Sequence, residues 1–149
     1  MRVIVTGGAG FIGSALVRYL VLEKGYDVLT IDALTYAGCK ASLKEVEEKN
    51  THQFLHANIC DRAAMDAAIT GFKPDRIMHL AAESHVDRSI TGAAEFIQTN
   101  VVGSFTLLEA ARAYWNGLEG AAKDAFRFLH VSTDEVFGSL GDEGLFGET

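Results

Sequence analysis

Three glycines at three-residue spacing, Gly7, Gly10 and Gly13, follow a short β-branched apolar run over residues 2–6. Helical periodicity begins directly behind them, with Ile12, Leu16, Val17, Leu20 and Val21 on one stripe. The chemistry open to such a stretch is anion binding, because a strand, a glycine turn and a helix start aim backbone N–H groups at a pyrophosphate. Gly7 allows the tight turn, Gly10 lets backbone approach phosphate, and Gly13 permits close helix–strand packing. Asp32 ends the next apolar run, 27–31, at the distance expected of a ribose-binding acid. It would accept hydrogen bonds from both adenosine ribose hydroxyls and repel a 2′-phosphate. No arginine follows it directly, which favours NAD over NADP. The plainer readings are a flexible turn and a surface acid, and the shared spacing argues against both.

The elements that must position these residues alternate along the chain. After the loop 33–39 come a short polar helix over 42–49, a third strand over 54–57, and an alanine-rich helix over 62–69. Asp61 is its N-cap and Gly71 its close. Pro74 precedes a fourth strand, 76–80. The loop 81–89 leads to a long helix, 92–114, with Ile97, Val101, Ser104, Leu108 and Ala111 on one stripe. A polar connection, 116–124, precedes a fifth strand over 127–131, and residues 132–149 read as irregular and glycine-rich. Strands alternating with helices predict α/β architecture, a Rossmann-like doubly wound parallel sheet of about five strands with right-handed crossovers. Residues 1–149 read as one NAD-binding domain. In such sheets ligands bind at the carboxyl ends of the strands, which here are 7–13, Asp32, Asn58 and Ile59, 81–88 and 132–135.

The chain has 149 residues, 48% of them hydrophobic and 22% charged, and a formal net charge of −7. That charge opposes a nucleic-acid partner, since no basic stripe is present to neutralise phosphates. Cys39 and Cys60 form no C-x-x-C, so a disulfide framework is not expected and a reducing cytoplasm fits. Met1 runs straight into the first strand, so no signal peptide is expected, and no apolar stretch reaches the ~18 residues of a membrane span. The histidines, His52, His56, His79, His85 and His130, are scattered and predict no metal site. His79 and His130 read as satisfied strand residues.

Four segments now stand together: T-G-G-A-G-F-I-G-S, D-A-L-T-Y-A-G, L-A-A-E-S-H-V-D-R-S-I and V-S-T-D-E-V-F-G. Together they resemble the dTDP-glucose 4,6-dehydratases of the extended short-chain dehydrogenase/reductase superfamily. The glycine turn is shared widely, whereas S-H-V-D-R-S and S-T-D-E-V are far more specific. Members of that family are longer, so the chain looks like an N-terminal portion. A substrate lobe and a Tyr-x-x-x-Lys helix are then expected beyond it, and the 149 residues alone are expected to lack turnover.

The resemblance implies NAD as cofactor and a dTDP-glucose substrate. It implies cofactor contacts at Gly7, Gly10, Phe11, Ile12, Gly13, Asp32, Ala33, Leu34, Thr35, Asn58, Ile59, Leu80, Ala81, Ala82, Glu83, Ser84 and Thr99, with Ser84 and Thr133 also meeting substrate. NAD takes hydride from hexose C4, water leaves across C5–C6, and hydride returns to C6. In that scheme Thr133 hydrogen-bonds the sugar 4-oxygen, Asp134 protonates the departing 6-hydroxyl and Glu135 removes the C5 proton. Elimination needs an acid and a base in opposite protonation states, which two neighbouring carboxyl groups can supply. Adjacent residues of a straight strand face opposite ways, so the backbone must turn there for both to reach one sugar. The resemblance also implies a homodimer through the helix 92–114.

Some residues depart from the family pattern. Cys39 stands for an asparagine, Phe137 for a tyrosine, and Asn58 for an aspartate that meets the adenine amine; asparagine keeps one acceptor oxygen. Tyr36 and Lys40 form a Y-x-x-x-K, but they sit in the adenosine-side loop and are rejected as the catalytic pair. His85 is balanced between a place near substrate and a loop-fixing role. Other readings are a nucleotide-sugar epimerase or decarboxylase, and a non-catalytic NAD-binding module. The Thr-Asp-Glu segment argues against the epimerase.

Overall fold

The computed structural model describes residues 1–85, 90, 92–138, 144, 145 and 147. Its strands are β1 (Arg2–Thr6), β2 (Asp27–Asp32), β3 (His52–His56), β4 (Arg76–His79) and β5 (Arg127–His130). They form one sheet in the order β3-β2-β1-β4-β5, every pair parallel. This is the doubly wound arrangement that the alternation predicts. The chain steps one way from β1 to β3, then returns to β1 and steps the other way, so the strand order reverses between β1 and β4.

Helices cover both faces, which is why the strands are apolar on both sides. Val3 and Val5 point to one face, where Val17, Leu20 and Val21 behind the glycine turn pack with Val28, Leu43 and Val46. Ile4 points to the other, against Met65, Ile69 and Phe72 of α2 (Arg62–Phe72) and Leu107, Ala110 and Ala111 of the long helix. α1 spans Phe11–Arg18 and runs into a π-helical turn, Tyr19–Glu23. Ile12 departs from the expected stripe: it is exposed.

Several boundaries move, each for a packing reason. Asp61 caps α2 as expected, its Oδ1 accepting from the Ala64 amide at 3.0 Å. The helix nonetheless continues past Gly71, because one more turn buries Phe72, and Lys73 (φ 53°) makes the left-handed cap. Residues 42–49 are not a helix: a 3-10 turn, Lys40–Leu43, is followed by further turns that bury Leu43 and Val46 at three-residue spacing. The connection 116–124 holds a short helix, Gly120–Ala125. Strands three, four and five are His52–His56, Arg76–His79 and Arg127–His130, so Ala57, Leu80 and Val131 fall in the loops behind them.

The long helix is built of α3 (Ala93–Phe96), a π-helical stretch Ile97–Gly103, and α4 (Ser104–Asn116). The wider turns shift the phase of everything N-terminal to Ser104. The stripe expected across residues 97–111 is not the buried face. Gly103, Leu107, Ala110 and Ala111 face the sheet, while Ile97, Val101 and Leu108 are exposed. Gly103 sits so close to α2's lead-in that a Cβ there would stand 2.8 Å from Ile59 Cδ1. Of the stretch 132–149 read as irregular, residues 139–143, 146, 148 and 149 lie outside the described residues; within the rest, Asp134–Phe137 form a 3-10 turn.

Candidate cofactor site

A cavity of about 360 Å³ opens at the carboxyl ends of the strands, above the point where the strand order reverses. Its middle is the glycine turn. Gly7 has φ 70°, and a Cβ there would lie 2.6 Å from the Ala81 amide nitrogen, so only glycine fits between β1 and the loop after β4. A Cβ on Gly13 would fall on the Gly7 carbonyl oxygen. Gly13 thus closes α1 onto the turn itself rather than onto a strand. Gly10 is the loosest of the three, its added Cβ meeting only the Gly7 oxygen at 3.2 Å, and it faces the cavity. Phe11 and Ile12, both exposed, line it at the start of α1.

On one side Asp32 is buried and holds two backbone amides: Ala9 N–H donates to Oδ2 at 2.9 Å and Leu34 N–H to Oδ1 at 2.8 Å. The acid therefore ties the glycine turn to the loop after β2. Leu34 sits at φ 50°, a left-handed conformation uncommon for leucine, held by that bond. Gly38 presses on the same carboxylate, where a Cβ would stand 2.8 Å from Oδ1. Ala33, Thr35, Asn58 and Ile59 complete this end. Asn58 Oδ1 already accepts from the Cys60 amide at 2.9 Å, which leaves that oxygen one lone pair for a ligand.

The other side is the segment 80–84 with Thr99 and Val131. Two polar links fix it. The Asn100 side chain grips Glu83 by both backbone groups, Oδ1 accepting from its N–H and Nδ2 donating to its C=O, each at 2.8 Å. Behind the loop, the buried His79 has Nδ1 2.7 Å from Thr6 Oγ1 and Nε2 2.9 Å from Ser104 Oγ. That chain joins β1, β4 and α4. Burial, with the His130 ring 4.9 Å away, pushes the His79 imidazole down to about 4, so it stands neutral.

Of the sequence-predicted cofactor residues, Leu34 alone does not line the cavity; Ile31, Ala37, Gly38, Ala57 and Val131 line it unpredicted. Asn100 was also missed, since nothing in its spacing marks it. Thr133 and Asp134 do not line the cavity; both are exposed, with Thr133 Oγ1 donating to Asp134 Oδ1 at 3.2 Å. His85 stands edge-on to Tyr36, ring centroids 6.5 Å apart, which joins two loops. Residues 86–89 of the S-H-V-D-R-S segment lie outside the described residues. Lys40 reaches Glu47 at 3.1 Å and the Phe54 ring of β3.

A Rossmann-like sheet with a glycine-built cavity at its switch point defines a class of nucleotide-binding α/β proteins. Within it, the chain belongs to the GDP-mannose 4,6 dehydratase family, whose model matches residues 4–149. A probable dTDP-glucose 4,6-dehydratase from Sinorhizobium fredii is 63% identical over 99% of this chain and 42% of its own length. The crystal structure of a dTDP-glucose 4,6-dehydratase from Streptomyces venezuelae, with NAD bound, superposes with a TM-score of 0.82 at 44% identity, over 97% of this chain and 43% of that one. A Thermotoga maritima UDP-glucose 4-epimerase is similar at 34% identity and a TM-score of 0.70, over 86% of this chain and 37% of that one. The chain thus spans less than half the length of these relatives.

Proposed function

We propose that the chain is the cofactor-holding part of an NAD-dependent dTDP-glucose 4,6-dehydratase and forms one NAD-binding domain. The observation that carries this is the cavity that runs from Asp32 across the glycine turn to segment 80–84, at the switch point of the sheet. A dinucleotide fits it: Gly7 and Gly13 leave a cradle that any Cβ would fill. Amides at the start of α1 receive the pyrophosphate. Asp32 retains lone pairs for ribose hydroxyls after binding Ala9 and Leu34, and Asn58 offers its amide to the adenine.

Bound NAD supplies a hydride acceptor at sugar C4 and, after water has left, a hydride donor to C6. Thr133 hydrogen-bonds the 4-oxygen, Asp134 gives a proton to the departing 6-hydroxyl, Glu135 takes the proton from C5, and Ser84 and Thr133 hold the sugar. Two features support the trio. β5 ends at His130 and the backbone winds into a 3-10 turn from Asp134, the change of direction that adjacent residues need to address one sugar. Val131, two residues before Thr133, already lines the cavity. Epimerisation needs no acid–base pair for elimination, so the Thr-Asp-Glu segment favours the dehydratase over the epimerase that shares the fold. The protein works in the cytoplasm, where Cys39 and Cys60, both free thiols, stay reduced, and it works as a homodimer through the exposed face of the long helix.

The test is to incubate the full-length protein with dTDP-glucose and NAD in deuterated water. A 4-keto-6-deoxy product carrying deuterium at C5 is expected, and Glu135→Gln should abolish that incorporation. Inversion at C4 without loss of water would replace this reading with the epimerase.

A further inference from the structure

The described residues lining the cavity include two ionisable groups, Asp32 and Glu83, and both are carboxylates at opposite ends. Asp32 has each oxygen occupied by a backbone amide. Glu83 differs. Its oxygen Oε2 is buried with no hydrogen-bond partner among the described residues, while its backbone is fixed on both sides by Asn100. A carboxylate whose buried oxygen meets no donor keeps its charge uncompensated, so a cation brought beside it in the cavity is favoured through space.

The place of Glu83 restricts what that cation is. A dinucleotide lying across the glycine turn with one ribose on Asp32 puts its second nucleotide over 80–84. Its phosphates are negative and belong at the turn. The one formal positive charge on an oxidised nicotinamide dinucleotide is on the pyridinium ring, in that second nucleotide, and reduction removes it. Resting on the NAD reading above, we infer that Glu83 biases this site toward the oxidised dinucleotide, with Asn100 as the residue that positions it. A fixed negative charge in a partly dehydrated pocket stabilises the pyridinium and gives nothing comparable to the neutral dihydropyridine.

The experiment measures dissociation constants for NAD⁺ and NADH on the full-length protein, stripped of dinucleotide, by calorimetry and by NADH fluorescence. Glu83→Gln keeps the shape and one acceptor oxygen and removes the charge. NAD⁺ affinity should fall about tenfold relative to NADH, a coupling of ordinary size for one charge. An unchanged ratio, whether both affinities fall together or neither falls, overturns the inference, because Glu83 would then act only as a neutral acceptor. If E83Q does not fold, Asn100→Ala frees the Glu83 backbone and must shift the ratio in the same direction; an unmoved ratio there also overturns it. If the unaltered protein binds neither dinucleotide, the functional reading itself fails.

Discussion

The Ala9 amide donates to Asp32 Oδ2 at 2.9 Å, so the acid proposed to read the ribose is also the clasp of the glycine turn. The same carboxylate holds Leu34 in its left-handed conformation. Removing it strands two backbone donors before any cofactor arrives. Asp32→Ala is expected to destabilise the cofactor-free protein by about 2–4 kcal/mol, with Asp32→Asn costing less because one acceptor oxygen survives. Chemical denaturation without NAD measures this. Asp32→Arg should further weaken NAD binding by about 2–3 kcal/mol and narrow the preference over NADP. Equal cofactor-free stabilities for wild type and Asp32→Ala would show that the clasp contributes nothing.

The glycines should rank by what a methyl group would strike. Gly7 and Gly13 would meet backbone atoms that cannot move without opening the turn, and Gly7 also needs φ 70°. Gly10 would meet one oxygen at 3.2 Å. Gly7→Ala and Gly13→Ala are therefore expected to cost about 2 kcal/mol or more in stability, with NAD affinity lost alongside. Gly10→Ala should leave the fold within about 1 kcal/mol of wild type and weaken chiefly the phosphate contact. Thermal melts with and without NAD separate the two classes.

His79 links β1, β4 and α4 in its neutral form. Burial lowers its folded value from 6.5 to about 4, while the unfolded chain keeps the ordinary one. Between those limits the unfolded state binds more protons, so stability is full above 6.5 and falls as pH drops toward 4. The loss from this group is about 3 kcal/mol. His52, buried and hydrogen-bonded to Thr30 Oγ1 at 3.0 Å, shifts in the same direction and adds to the slope. Urea denaturation across that window should show a shallower pH dependence for His79→Asn than for wild type. Parallel curves would mean that His79 is charged in the native protein.

The sheet and the glycine turn were legible because they obey local rules: β-branched runs, glycine spacing, an acid at the second strand's end. Residues 97–103 were not, since a π-helical turn carries no periodic signature and is settled by the packing of Gly103 on Ile59. The end of α2 was misplaced for a similar reason: burial of Phe72 outweighs the glycine that looked like a stop. Asn100 was invisible because a side chain that grips a loop backbone 17 residues away leaves no mark in spacing. The proposal for Asp134 and Glu135 rests on family resemblance, as adjacent acids in a glycine-rich stretch look like any solvated turn.

The same π-helical turn sets the outward face of the long helix. Ile97, Val101, Phe105 and Leu108 are respectively 58%, 57%, 63% and 48% exposed, four large apolar side chains on one side of a helix whose other side is buried. Each gains about 1.5–3 kcal/mol on full burial, so the patch favours association. Phe105 is the largest and most exposed of the four, and it is not among the residues that line the cavity. Phe105→Glu in the full-length protein would place a charge at the centre of the proposed homodimer contact. It is expected to weaken self-association by about 2 kcal/mol or more, roughly thirtyfold in the dimer dissociation constant, while NAD affinity stays within about twofold. Sedimentation velocity at low micromolar concentration reads the first effect and calorimetry the second. A dimer that survives Phe105→Glu unchanged would place the subunit contact elsewhere and leave this face to cover another part of the same chain.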